Sequence, residues 1–273
     1  MSSKTSALRL QVESSLARRG GLAARVASPF QYRDRPIVET APTGIPPIDL
    51  LTGGLPRGSL TEIYGPPCSG RTSLLVSALA SRTAASEVCA LVDARDAFDP
   101  QSAEAAGVRL QQLLWVRCRN VDQALRSTDL LIQGGGFGMI ALDLGDTPAR
   151  VVRYVPLQVW FRFRRAVERT PTIFLVVEQE SNAKTCASLV LSLHAQEARW
   201  ARTSERAGNS GQLLPPHSPG CLLDGQRSLA ETIRSHAKRE GMWLHKPNTI
   251  FADDRGDDAD FETAVVWGGL GPR

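Results

Sequence analysis

Apolar residues in this chain fall into two kinds of run, and the two alternate. Short, near-continuous stretches occur at 60–64 (LTEIY), 88–93 (VCALVD), 113–116 (LLWV), 139–144 (MIALDL) and 172–177 (TIFLVV). A strand covered on both faces requires such runs, whereas strict alternation marks a half-exposed one. Between them the spacing is helical. Leu74, Leu75, Ala78 and Leu79 share one face of 72–83, 121–133 is helical, and 157–168, after Pro156, reads as a helix rich in arginine and aromatics. Strand, helix and strand repeating at this length predict βαβ units and a mostly parallel sheet flanked by helices. Beyond 187 the elements shorten: SLVLSL at 188–193, an element of undecided type near 229–238, and a strand at 262–267. Together they predict an antiparallel C-terminal extension of the same sheet. At the other end Leu8, Val12 and Leu16 predict a short amphipathic helix over 7–19, closed by Gly20-Gly21. Five prolines in 28–47 read as an extended connector, and 201–220 as a loop. The acidic run ADDRGDDAD at 252–260 reads as a solvated loop, its aspartates lacking the spacing of a calcium loop.

Composition keeps this picture globular. Of 273 residues 42% are hydrophobic and 22% charged, enough to bury a sizeable core and unlike a disordered, collagenous or disulfide-built chain. No run is long and apolar enough for a membrane span, and the first 21 residues lack the apolar stretch of a secretory signal. Five scattered cysteines without a CxxC pair fit reduced thiols in a cytoplasm, and four scattered histidines offer no zinc pattern. The net charge is +4, yet residues 1–35 hold seven Lys or Arg against Glu13 and Asp34, which is +5 on their own. A basic head of this kind either meets an acidic partner such as nucleic acid or stays a solvated end.

One motif carries chemistry. Residues 65–72 read GPPCSGRT, the phosphate-loop pattern G-x-x-x-x-G-K-[ST] with Arg71 in place of lysine. A strand precedes it and a helix follows, as the pattern needs. Gly65 and Gly70 allow a tight turn whose amides face a phosphate, and the helix start favours an anion. The cradle comprises Gly65, Pro66, Pro67, Cys68, Ser69, Gly70, Arg71, Thr72 and Ser73. Thr72 offers a hydroxyl to Mg²⁺. Arg71 keeps the charge of lysine but brings a wider planar fork. A carboxylate at the end of a buried strand would help hold the metal: Asp143 is the first candidate and Asp93 the second, with Asp96 and Asp146 following them. Either strand-end aspartate also suits loop capping.

The ordered motifs resemble the RecA recombinase core. TGIPPIDLLTGGLPRGSLTEIYGPPCSGRTSLL (43–75) is similar to the opening of that core, LVDARDAFDP (91–100) to its next strand and turn, AAGVRLQQLLWVR (105–117) to the following step, IALDLGD (140–146) to its Walker-B strand, and FLVVEQ (174–179) to the strand ending in a γ-phosphate-sensing glutamine. The resemblance spans 43–193. It implies ATP and Mg²⁺ as cofactors, with Thr72 and Asp143 on the metal and Gln179 on the terminal phosphate. The departures are equally specific. The family's catalytic glutamate falls on Arg95, which removes general-base help worth about 10²–10⁴-fold; Asp96 is the adjacent acid. Only about eight residues, Glu180 to Ala187, separate Gln179 from the next strand, so the second DNA loop is nearly absent. Among RecA relatives the chain is most similar to the short, divergent ImuA-type proteins of bacterial mutagenesis cassettes. That likeness implies a cytoplasmic, nucleoid-associated accessory of damage-induced translesion synthesis, partnered by translesion polymerase-type proteins or another RecA-like subunit, with homo-oligomers following from the family's N-terminal helix packing on its neighbour.

Arg150, Arg153, Arg162, Arg164 and Arg165, interleaved with Tyr154, Trp160, Phe161 and Phe163, suit a grip on single-stranded DNA or on a protein partner. The same residues suit an amphipathic surface helix with Val159, Phe163 and Val167 toward the sheet. The expected organisation is a basic N-terminal helix and linker (1–40), a RecA-like α/β nucleotide-binding core (41–200), and C-terminal strands and loops completing it (201–273). The function expected is an ATP- and DNA-associated repair protein with weak or absent hydrolysis, against two rivals: an active filament-forming DNA-dependent ATPase, and a pseudo-ATPase adaptor.

Overall fold

The computed structural model describes residues 39–200, 223–235 and 258–264. The helix expected over 7–19, the loop 201–220 and most of the acidic run lie outside the described residues. Strands β1 (Thr40–Ala41) and β2 (Leu55–Pro56) make a small antiparallel pair around helix α1 (Pro46–Thr52). The main sheet contains β3 (Ser59–Tyr64), β4 (Cys89–Asp93), β5 (Leu113–Arg117), β6 (Met139–Asp143), β7 (Ile173–Glu178), β8 (Leu189–Trp200), β9 (Leu223–Ser235) and β10 (Asp258–Ala264). Their order is β10-β9-β8-β3-β7-β6-β4-β5, parallel from β8 to β5. Helices α2 (Arg71–Ala84), α3 (Pro100–Ala105), α4 (Val121–Gly134), α5 (Ala149–Val152) and α6 (Leu157–Val167) connect the strands.

Successive residues of each central strand feed two opposite cores, as the period of two requires. Ile63, Leu91, Leu175 and Val177 pack with α1, α2 and α3 through Ile48, Leu74, Leu79 and Ala103. Leu60, Val92, Phe174 and Val176 pack with α4 and α6 through Ala124, Trp160, Phe163 and Val167. Near-continuous apolar runs are the consequence of this double cover. Local signals start the helices: Asp99 accepts from the Gln101 and Ser102 amides with Pro100 at the first position of α3, and Asn120 accepts from the Gln123 amide to open α4.

Two expectations, on LLWV and on the acidic run, need correction, and two others gain detail. LLWV does not form a doubly covered strand: β5 ends the sheet, Leu114 is 44% exposed and Trp115 is only partly buried, stacked edge-on against Phe98 at 5.4 Å. Composition cannot report a place in the strand order. SLVLSL is the junction of the two parts: β8 runs parallel to β3, with Thr61 opposite Leu189, and antiparallel to β9, with Leu193 opposite Ala230, so the antiparallel extension starts on it and continues through β9 and β10. The undecided element near 229–238 is the strand β9. The end of the acidic run is no solvated loop: Asp258 and Asp260 lie in β10, and Asp260 pairs with Arg227 at 2.9 Å. On α6 it is Trp160, Phe163 and Val167 that are buried, so the helix is amphipathic as read, with Val159 at the margin.

Phe163 is fully buried, edge-on to Phe174 at 5.5 Å and to Trp160 at 6.3 Å. Phe163→Ala is expected to cost about 3–5 kcal/mol in denaturant unfolding; a loss below about 1 kcal/mol would contradict this packing.

Candidate functional site

Register assembles the site. Tyr64 pairs with Glu178 and Asp143 with Val177, so the ends of β3, β7 and β6 lie side by side and the loop after β3 sits over the other two. Its turn depends on glycine. A Cβ on Gly65 would run into the Leu193 carbonyl of β8, and Gly70 is left-handed at φ 91° with Phe261 and Ser228 of the extension about 3.0 Å from its Cβ position. The Gln226 side chain donates to the Cys68 carbonyl, so β9 and β10 clasp the loop from outside. Inside it, the Ser69 hydroxyl is buried without a partner, and no side chain caps the amides that open α2. Those amides are orphan donors at the positive end of a helix dipole, a setting that suits an anion.

Below the loop, Arg71 points into the sheet rather than outward. Its guanidinium is buried, and Nη1 donates to the carbonyls of Glu178 (2.7 Å) and Gly145 (3.2 Å). Burial lowers its pKa, opposed by the nearby charges of Asp143 and Asp146. Gln179 donates from Nε2 to the same Gly145 carbonyl at 2.9 Å. Asp143 accepts from the Gly145 amide at 2.8 Å; burial raises its pKa to about 6, and the Gly145 hydrogen bond opposes that rise. Beside this strand end, Glu178 is buried with its pKa pushed well above the carboxylate range by desolvation and by Glu62, while Asn182 donates to it at 2.6 Å. Glu62 in turn accepts from Ser181 Oγ and from the amides of Asn182 and Ala183. This buried acid pair pins the short segment after Gln179.

A cavity of about 520 Å³ opens in front of α2. Thr72, Ser73, Asp143 and Asp146 line it together with Phe98, Asp99 and Ser102. Glu262 of β10 reaches the same cavity, a residue that sequence reasoning missed because only sheet pairing brings it there. Thr72 and Asp143 both line this cavity, and their hard oxygen atoms are of the kind that suits a Mg²⁺ ion. Asp93 is a loop cap, accepting from the Arg95 and Phe98 amides. Asp96 is turned to Arg117 in a two-point ion pair at 2.5 and 2.6 Å, while Ala97, Phe98 and Asp99 form the cavity wall next to it. Of the basic residues, Arg153 pairs with Glu180 at 3.5 Å, Arg162 with Asp129 at 3.1 Å, and Arg164 donates to the Thr185 carbonyl. Arg150 and Arg165 are exposed, and each lines a surface groove: Arg150 with Tyr154, Arg165 with Phe161 and Arg169.

Asp143 gives a pH signature. Its pKa is about 6 in the fold against 3.8 when solvated, so the folded state holds the proton more tightly. Its contribution to stability is therefore present below about pH 4 and is lost as pH rises through 6. Asp143→Asn should flatten that fall in melting temperature between pH 4 and 6; an unchanged profile would contradict it.

Comparison with known proteins follows this geometry. Residues 25–150 match the family model for the RecA N-terminal domain. The chain is 40% identical over 120 residues to "Protein RecA" of Salinispora tropica, covering 42% of this chain and 34% of that protein. It is 41% identical over 110 residues to "Protein RecA" of Psychrobacter cryohalolentis, covering 40% and 31%. The match thus spans about a third of the length of these relatives. Among the described residues no helix is long and apolar enough to cross a membrane. The family match, the phosphate-loop pattern and a mostly parallel sheet with helices on both faces agree, and over residues 25–150 the chain is similar to the RecA N-terminal domain.

Proposed function

We propose that this chain is a nucleotide- and DNA-associated repair protein that binds a nucleotide with Mg²⁺ and hydrolyses it slowly or not at all, serving as an accessory of damage-induced translesion synthesis. The observation that carries this reading is a contrast between the phosphate loop and the turn after β4. The donors for a phosphate are in place: the uncapped start of α2, the buried Ser69 hydroxyl and Thr72. The acid for water activation is not in place: Arg95 is exposed at that position and Asp96 is engaged by Arg117.

In this reading the loop amides and Ser69 hold the phosphates, and Thr72 and Asp143 hold the metal. When bound, Mg²⁺ supplies charge neutralisation to the phosphates. Phe98, Asp99 and Ser102 bound the wall where the rest of the nucleotide lies. Arg150 with Tyr154, and Arg165 with Phe161, supply charge beside an exposed aromatic ring, which suits single-stranded DNA. The short segment pinned by Glu62 and Glu178 favours an accessory over strand exchange. A second reading, a pseudo-ATPase adaptor for a translesion polymerase or a RecA-like subunit, is favoured by the internal bonds of Arg71.

Titration with a fluorescent ADP or ATP analogue and Mg²⁺ separates the readings. Saturable binding weakened by Thr72→Ala, with turnover rising by about 10² or more in Arg95→Glu, supports a binding site that lacks its base. Brisk wild-type turnover stimulated by single-stranded DNA would favour the active ATPase, and no saturable binding would favour the adaptor. Arg150→Ala with Arg165→Ala should weaken single-stranded DNA binding and reduce its salt dependence; unchanged affinity would remove these residues from the interface.

A further inference from the structure

We propose that Arg71 is an internal latch that makes this cavity prefer a nucleoside diphosphate over a triphosphate. The inference rests on the nucleotide reading above and adds the ligand class. A lysine at this position reaches the phosphates as a mobile point charge. Arg71 instead spans two strand ends, donating to the Glu178 and Gly145 carbonyls from a buried guanidinium. Gln179 spends its amide on that same Gly145 carbonyl. The two side chains that the loop pattern and the strand end offer to a terminal phosphate are therefore both committed to the backbone. Releasing Arg71 would leave the Glu178 carbonyl, buried at the strand end, short of its charge-assisted donor, which opposes the change.

The loop above Arg71 is different. The amides opening α2 carry no cap, and the loop's one buried hydroxyl, Ser69, has no partner, so donors for the first two phosphates remain available. Charge points the same way. Asp143, Asp146 and Glu262 all line this cavity, and a third phosphate would bring further negative charge toward them.

The test is a pair of equilibrium titrations, with fluorescent ADP and a slowly hydrolysed ATP analogue in Mg²⁺, on the wild type and on Arg71→Lys, each checked for folding by its melting curve. The latch predicts that the wild type binds the diphosphate about tenfold more tightly, a charge-assisted hydrogen bond's worth, and that Arg71→Lys closes the gap. The wild-type ratio reads the proposal even if the variant does not fold. Equal or tighter triphosphate binding by the wild type, or a gap unchanged in a folded Arg71→Lys, would overturn the latch and leave nucleotide binding standing. No saturable binding of either nucleotide by both proteins would overturn the nucleotide reading and the latch with it.

Discussion

The guanidinium of Arg71, buried between two strand-end carbonyls, is the interaction on which the rest of the site turns. It is available only because β3, β7 and β6 end in register, with Tyr64 beside Glu178 and Asp143 beside Val177. That register follows from strands buried on both faces, where slipping by one residue would exchange the two cores. A cation placed there draws the Gly145 turn and the end of β7 toward the loop. Asp143 and Asp146 offset part of the cost of burying it. In a phosphate loop the position normally serves the ligand; here it serves the fold, and the same charge ties the loop to the ends of β6 and β7.

Two buried carboxyls extend that unit. Glu178 carries the backbone carbonyl that Arg71 holds, while its side chain takes a hydrogen bond from Asn182. Glu62, one strand over, gathers Ser181, Asn182 and Ala183. Desolvation and mutual repulsion keep Glu178 protonated far above the usual range, which lets two acids sit in one apolar neighbourhood. Events at the phosphate loop thereby have a short physical route to residues 180–183.

Much of this was legible in the chain. The spacing of Leu74, Leu75, Ala78 and Leu79 gave α2, the apolar runs gave the central strands, and GPPCSGRT with Asp143 pointed to Thr72 and Asp143 of the cavity lining, because each depends on local pattern or on the parallel sheet's habit of placing sites at strand ends. The short helix α3 went unread, although its start carries local signals in Asp99 and Pro100. What escaped reading depends on long-range pairing. The exposure of Leu114 follows from β5 being an edge, the place of Asp260 in a strand follows from β9, and Glu262 reaches the cavity only through that same extension. The direction of Arg71 escaped for a related reason: its partners are backbone carbonyls 74 and 107 residues away, invisible to any local motif.

Side-chain NMR of the arginine guanidinium protons in the nucleotide-free protein, assigned by comparison with Arg71→Lys, tests this arrangement most directly. A buried latch predicts resolved, slowly exchanging Arg71 signals that persist on adding Mg²⁺ and the diphosphate. Signals averaged with the solvent-exposed arginines, or appearing only once a triphosphate is bound, would contradict it and return Arg71 to the role of a phosphate ligand.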